Sequence, residues 1–215
     1  MHNVLDDLII EPTKLLVMGV GNILWSDEGF GVRCADEFHR RYTLDNGSKV
    51  MDGGTLGMYL LETIEASEDL LIFDCADLAA EPGTLKVLEG NEIALWSTTK
   101  ISAHQTGLNE VLALAQLQGK MPKRMAVVAV QPAELQDYGG SLTPKIQAAV
   151  PLALDAALKI ISQWGYTATE RPAGEAVAPL SDMSLKQETY EALRPSEAEA
   201  PRLGDVRFVP HFDKE

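Results

Sequence analysis

Cysteine is scarce in this chain: only Cys34 and Cys75 occur among 215 residues, and no CxxC spacing joins them. That excludes a disulfide framework and a cysteine-built zinc knuckle, and the expectation is two reduced thiols in the core of a cytoplasmic protein. Basic residues are also few, 18 Lys and Arg against 32 Asp and Glu, for a formal net charge of -14. Such a surface repels nucleic acid and anionic lipid, which leaves a small molecule, a cation or another protein as partner. No apolar run approaches the roughly 18 residues that a membrane span needs, so no membrane insertion is expected. The opening residues, MHNVLDDLIIEPTK, carry acids where a secretory leader carries bases. The sequence also lacks a G-x-S-x-G elbow, an HExxH helix and the lysine of a Walker loop.

What is present is alternation. Short apolar runs at KLLVMGV (14–20), SKVMD (48–52), DLLIFDC (69–75), TLKVLE (84–89) and MAVVAV (125–130) read as strands. Between them lie helical patterns. One follows Asp27, with Phe30, Cys34, Phe38 and Tyr42 four residues apart. Another places Leu108, Val111, Leu112 and Ala115 on one face. A third runs from Pro144 to Trp164 with Pro151 as a kink, and a weaker one covers Leu56 to Ile64. Strands separated by helices imply crossover connections and a sheet covered on both sides. The expected fold class is therefore α/β: three layers, α/β/α, around a twisted, mostly parallel sheet of about five strands. After Gly165 the composition turns rich in Pro, Ala, Glu and Ser. Residues 1–165 are read as one α/β domain and 166–215 as an acidic extension, disordered or loosely docked. Within it VRFVPHF (206–212) is either plain tail or a docking segment.

An open parallel sheet gathers ligands at the carboxyl ends of its strands. The first strand runs into GVGNILWSDEG, the second ends at MDGG, and the third at FDCAD. Glu28 (or Asp27), Asp52 and Asp74 are thereby brought to one edge, and His104 in KISAHQTGL is a fourth candidate. The glycines of GVG resemble a dinucleotide fingerprint, and Gly19 and Gly21 fit it. The third glycine position, however, is Leu24, and two acids precede the helix where a pyrophosphate would sit. A metal suits the set better: Glu28, Asp74 and an imidazole nitrogen of His104 form three ligands with positions left open. Carboxylates crowded at one edge repel until a cation joins them. Residue types alone leave nickel, zinc, iron and copper open.

Each of these residues has a plainer reading. Asp27 fits an N-cap for the helix after it, and Glu28 an exposed acid of its first turn. Asp52 before Gly53-Gly54 fits a turn former or a support for that loop. Ser102-Ala103-His104-Gln105 matches a capping box, which puts His104 in a first helical turn whether it is structural or a ligand. Asp74, flanked by Phe73 and Cys75, is harder to explain without a partner or a function. Ser26 and Cys75 are conceivable nucleophiles, but neither has an obvious base beside it.

Taken together, GVGNILWSDEGFGV, MDGGTLGMYLLE, LLIFDCAD, ISAHQTGL and the loop QPAELQDYGGSLTP resemble, in order and spacing, the nickel-iron hydrogenase maturation endopeptidases. The resemblance spans about Leu15 to Trp164. It implies a peptidase of aspartyl type that removes a C-terminal extension from the precursor of a hydrogenase large subunit after nickel has entered. It further implies that Glu28, Asp74 and His104 engage nickel carried by that precursor, with Glu28 and Asp74 also the candidates for catalysis. Asp52, Gly19, Gly21 and Asp27 would support the site. Two other readings remain open: a nickel-binding chaperone that cuts nothing, and a dinucleotide-binding α/β protein.

Overall fold

The computed structural model describes residues 11–45, 47–98, 103–181, 185 and 187–193; it says nothing of the side chains at 95, 97, 98 and 103–106. Five strands form the central sheet: β1 (Thr13–Val20), β3 (Ser48–Gly54), β4 (Ser67–Cys75), β5 (Leu85–Glu89) and β6 (Arg124–Val130). Their order is β3-β1-β4-β6-β5. All neighbours are parallel except β5, which runs antiparallel to β6 along the edge. β5 reverses because only a short connection, 76–84, leads into it, too short for a crossover helix.

Side chains alternate across each strand, and the alternation divides the core into two layers. Leu15, Val17, Leu71, Phe73, Val128 and Val130 face α1 (Phe30–Arg41) and α6 (Val150–Gln163). Leu16, Met18, Val20, Leu70, Ile72 and Val127 face the opposite layer. That layer holds α2 (Leu61–Glu65), α3 (Asn91–Thr98) and α4 (Ala103–Leu117). The three-layer α/β expectation therefore holds, and each of the five expected runs forms a strand.

Three details differ from the sequence reading. Phe30, Cys34 and Phe38 are buried on α1 as expected, but Tyr42 opens β2 (Tyr42–Leu44) instead of continuing the helix. The single helix expected from Pro144 is two: α5 (Pro144–Gln147) and α6, with Pro151 in the first turn of α6. Proline there loses no helical hydrogen bond, so it starts a helix rather than bending one. α3 was not anticipated. The extension after Gly165 is docked over its described part: β7 (Ala168–Glu170) pairs antiparallel with β2, and α7 (Gln187–Leu193) lies against the body. VRFVPHF lies outside the described residues. Among the described residues no helix is long and apolar enough to cross a membrane.

Candidate active site at the strand ends

Strand order changes direction between β1 and β4: the chain goes outward from β1 to β3, then returns across β1 to β4. The chain passes from β1 to β3 through α1 on one layer and from β3 to β4 through α2 on the other. At such a switch point the carboxyl ends of β1 and β4 are where a crevice is expected. Glu28 follows β1, and Asp74 is the penultimate residue of β4. Both are buried. Burial pushes the neighbouring Cys75 thiol well up, helped by the negative charges of Asp74, Glu28 and Asp27. Cys75 is fully buried in the core, which fits a packing role for its thiol rather than a nucleophile's. Cys34, also free and fully buried, is raised by burial in the same way.

Close backbone packing brings these acids together. A Cβ on Gly31 would strike the carbonyl oxygens of Phe73 and Val20, and one on Gly19 the carbonyl of Gly31. The amino end of α1 is thus seated on the ends of β1 and β4. Gly21 has φ +135°, and a Cβ there would run into the Glu28 carbonyl. These glycines allow close contacts within the chain itself.

Asp27 is not the helix cap that its position suggested. Gly29 occupies the N-cap of α1 and makes no side-chain cap. Asp27 is fully buried inside a single 3-10 turn, Ser26–Gly29, and points into the loop between β6 and α5. Its Oδ2 accepts from the backbone N–H groups of Ala133 and Glu134, each at 2.9 Å, and from the Thr143 hydroxyl at 3.1 Å. Its Oδ1 accepts from the Thr143 N–H at 2.7 Å. One carboxylate thereby ties both ends of the 131–144 loop to the turn that carries Glu28. Ser26, with φ 45° and buried, donates its hydroxyl to the Ser141 carbonyl at 2.8 Å, so it too is a fastening and no nucleophile. Trp25 bridges Tyr138, their rings edge to face at 5.1 Å. Two buried acids fill the approach to α1, where the dinucleotide reading needed room for a pyrophosphate.

Asp74 has a partner that the sequence did not reveal. The indole Nε1–H of Trp96, on α3, donates to its Oδ2 at 3.2 Å. No local pattern marks Trp96, since the two residues meet only through the packing of α3 beside α4 and β5.

Asp52 stands opposite Gly19 in the β1–β3 register, on the far side of β1 from Asp74. Burial pushes its carboxyl up, a backbone hydrogen bond at Gly54 draws it down, and the charges of Asp36 and Arg33 on α1 also reach it. It supports the base of the β3 turn. His104 lies in the first turn of α4, and its side chain lies outside the described residues, as does Ser102 of the expected capping box. That turn of α4 is close to the loop after β3: a Cβ on Gly107 would stand 3.1 Å from the Cα of Gly57. Among the described residues no group of three His, Cys, Asp or Glu is arranged to hold a metal, so the third member of the expected set depends on His104.

The loops at the carboxyl end of the sheet carry exposed apolar side chains. Leu56, Met58 and Tyr59 are exposed on the turn after β3, Tyr59 to 87%. Leu24 and Tyr138 are exposed beside the 131–144 loop. Buried acids and exposed apolar side chains at the same end of the sheet suit a polypeptide better than a small anion.

Comparison with known proteins bears on the family and the fold. Residues 32–160 match a family profile described as hydrogenase maturation protease. The hydrogenase expression/formation protein HupD of Rhodobacter capsulatus is 43% identical over 206 residues, covering 95% of this chain and 97% of HupD. The hydrogenase 2 maturation protease of Escherichia coli K12 is 38% identical over 161 residues, covering 74% and 98% respectively. Among solved structures, the hydrogenase maturating endopeptidase HybD from E. coli superposes with a TM-score of 0.70 at 37% identity, covering 74% of this chain and 98% of HybD.

Proposed function

Because this chain belongs to the hydrogenase maturation protease family, we propose that it cuts the C-terminal extension from a nickel-iron hydrogenase large-subunit precursor, and does so after nickel insertion. Glu28, Asp74 and His104 engage the nickel that the precursor carries, so the metal belongs to the substrate. The observation that supports this reading most is the burial of two acids at the carboxyl end of the sheet, Glu28 in the turn after β1 and Asp74 at the end of β4. Two buried carboxylates repel each other, and a divalent cation arriving with the substrate removes that repulsion. Binding is then strongest when the precursor is loaded, which makes the enzyme a check on metal insertion.

Cleavage needs one water and an acid-base group. In this reading a buried carboxylate takes a proton from the water, whose oxygen attacks the scissile carbonyl carbon. The C–N bond breaks as the proton passes to the departing amine, leaving a new carboxylate and a free extension peptide. The exposed apolar side chains hold the polypeptide on both sides of the cut. The cytoplasm, where precursor and reduced thiols coexist, is the proposed place of action.

Mass spectrometry of a nickel-loaded precursor, before and after incubation, tests the reading. The unaltered enzyme should release the extension, and Glu28→Gln, Asp74→Asn and His104→Gln should each slow release at least about a hundredfold while remaining folded. Nickel-free precursor should stay intact. Normal processing by all three variants would refute the assignment. A precursor whose mass never changes, despite nickel transfer, would favour a chaperone.

A further inference from the structure

Resting on that reading of Asp74, we propose that Trp96 is a positioning residue for the reaction: its indole N–H holds the Asp74 carboxylate in the one orientation that serves the crevice. The ring is 5% exposed and packs in the layer formed by Leu88, Leu108, Val111 and Leu112. It cannot swing without opening that layer. Its N–H reaches Oδ2 of a carboxylate that is itself fully buried at the end of β4. A carboxylate turns easily about its last bond, and a rigid planar donor removes that freedom. Packing alone would be satisfied at this position by any large apolar side chain. The polar edge of the indole, aimed at the acid under the crevice, is what packing does not require. α3 is thereby a functional element: it carries the donor into the space between β4 and α4.

Misplacing a reacting group slightly lowers the rate more than it lowers affinity, because most of the precursor's binding surface is untouched. Two variants separate the donor from the packing. Trp96→Phe keeps an aromatic ring but leaves space behind. Replacing Trp96 by β-(3-benzothienyl)alanine keeps the shape and puts sulfur where the N–H was. With nickel-loaded precursor, both variants should lower kcat between about tenfold and a hundredfold, with KM within about twofold of the unaltered enzyme. The benzothienyl variant fills the same space, so it should stay folded at the assay temperature even though losing the hydrogen bond lowers its Tm. The result then stands even if Trp96→Phe folds poorly. An unchanged kcat in the benzothienyl variant, while Asp74→Asn is inactive, would overturn the proposal and leave the role of Asp74 intact. A loss confined to KM would overturn it as well. Normal processing by Asp74→Asn would instead remove the reading on which the proposal stands.

Discussion

Asp27 and Glu28 are neighbours in sequence with opposite duties. Glu28 is buried in the turn after β1 and is the residue proposed for nickel, whereas Asp27 spends its acceptor capacity on Ala133, Glu134 and Thr143. Those donors include three backbone N–H groups of a loop that would otherwise have to find water. Hydrogen bonds to a charged group contribute about 1.5–3 kcal/mol, and donors left buried without an acceptor cost a similar amount. Asp27→Ala should therefore destabilise the protein by about 3 kcal/mol or more, read from denaturant unfolding. Amide exchange should rise first in the 131–144 loop. Asp27→Asn should recover only part of the loss, since its amide nitrogen faces donors. Asp27 is thus a structural partner of the site, separable by experiment from the three residues assigned to nickel.

At the scale of elements, the segment beyond Gly165 is a brace. Arg33 is buried in the first turns of α1, donates Nη1 to the Leu185 carbonyl, and lies over the Tyr190 ring at 5.7 Å. The Ser141 hydroxyl donates to Glu191 at 2.6 Å, and the Gln187 amide to Gln147 at 2.7 Å. α7 therefore joins α1, the 131–144 loop and α5, all of which border the crevice or hold its wall. HupD aligns over 95% of this chain and the E. coli protease over 74%. A chain ending at residue 181 should keep the far-ultraviolet signature of the sheet and lose about 1–3 kcal/mol of stability. Its loop 131–144 should exchange faster, and processing should slow by less than in Asp74→Asn. Equal exchange in both chains would show that the brace holds nothing.

At the scale of the whole molecule, the end of the sheet opposite the crevice is tied by a polar network. Asp69 of β4 accepts from Arg124 of β6 and, at 2.6 Å, from the Tyr166 hydroxyl that follows α6. Burial pushes the Asp69 carboxyl up, but the hydrogen bonds from Arg124 and Tyr166 prevail and hold it below its ordinary value. Burial and the hydrogen bond to Asp69 raise the Tyr166 phenol from 10.0 to about 12. The signs are opposite. A depressed carboxyl contributes stability above its unfolded pKa and loses it as pH falls through the folded one. A raised phenol contributes fully below pH 10 and loses that contribution as pH rises toward 12. Tm should therefore fall between about pH 10 and pH 12 in the unaltered protein, and Tyr166→Phe should flatten that arm. An unchanged alkaline arm in Tyr166→Phe would show that other groups cause it.

Local pattern was enough for the five strands, for a sheet covered on both faces, and for placing Asp74 at a strand end and Glu28 in the turn that follows one. Strand alternation and the apolar spacing of α1 and α4 are properties of neighbouring residues, and any chain segment displays them without its partners. The acids that break an apolar run at a strand's end are visible for the same reason. Contacts between distant segments decided the rest. Asp27 had to meet residues more than a hundred positions away before its role differed from a helix cap. Trp96 had to be carried to Asp74 by α3, and β5 had to be turned antiparallel by a short connection. Those outcomes depend on which groups remain to be paired once the layers close, a condition that exists only in the folded chain.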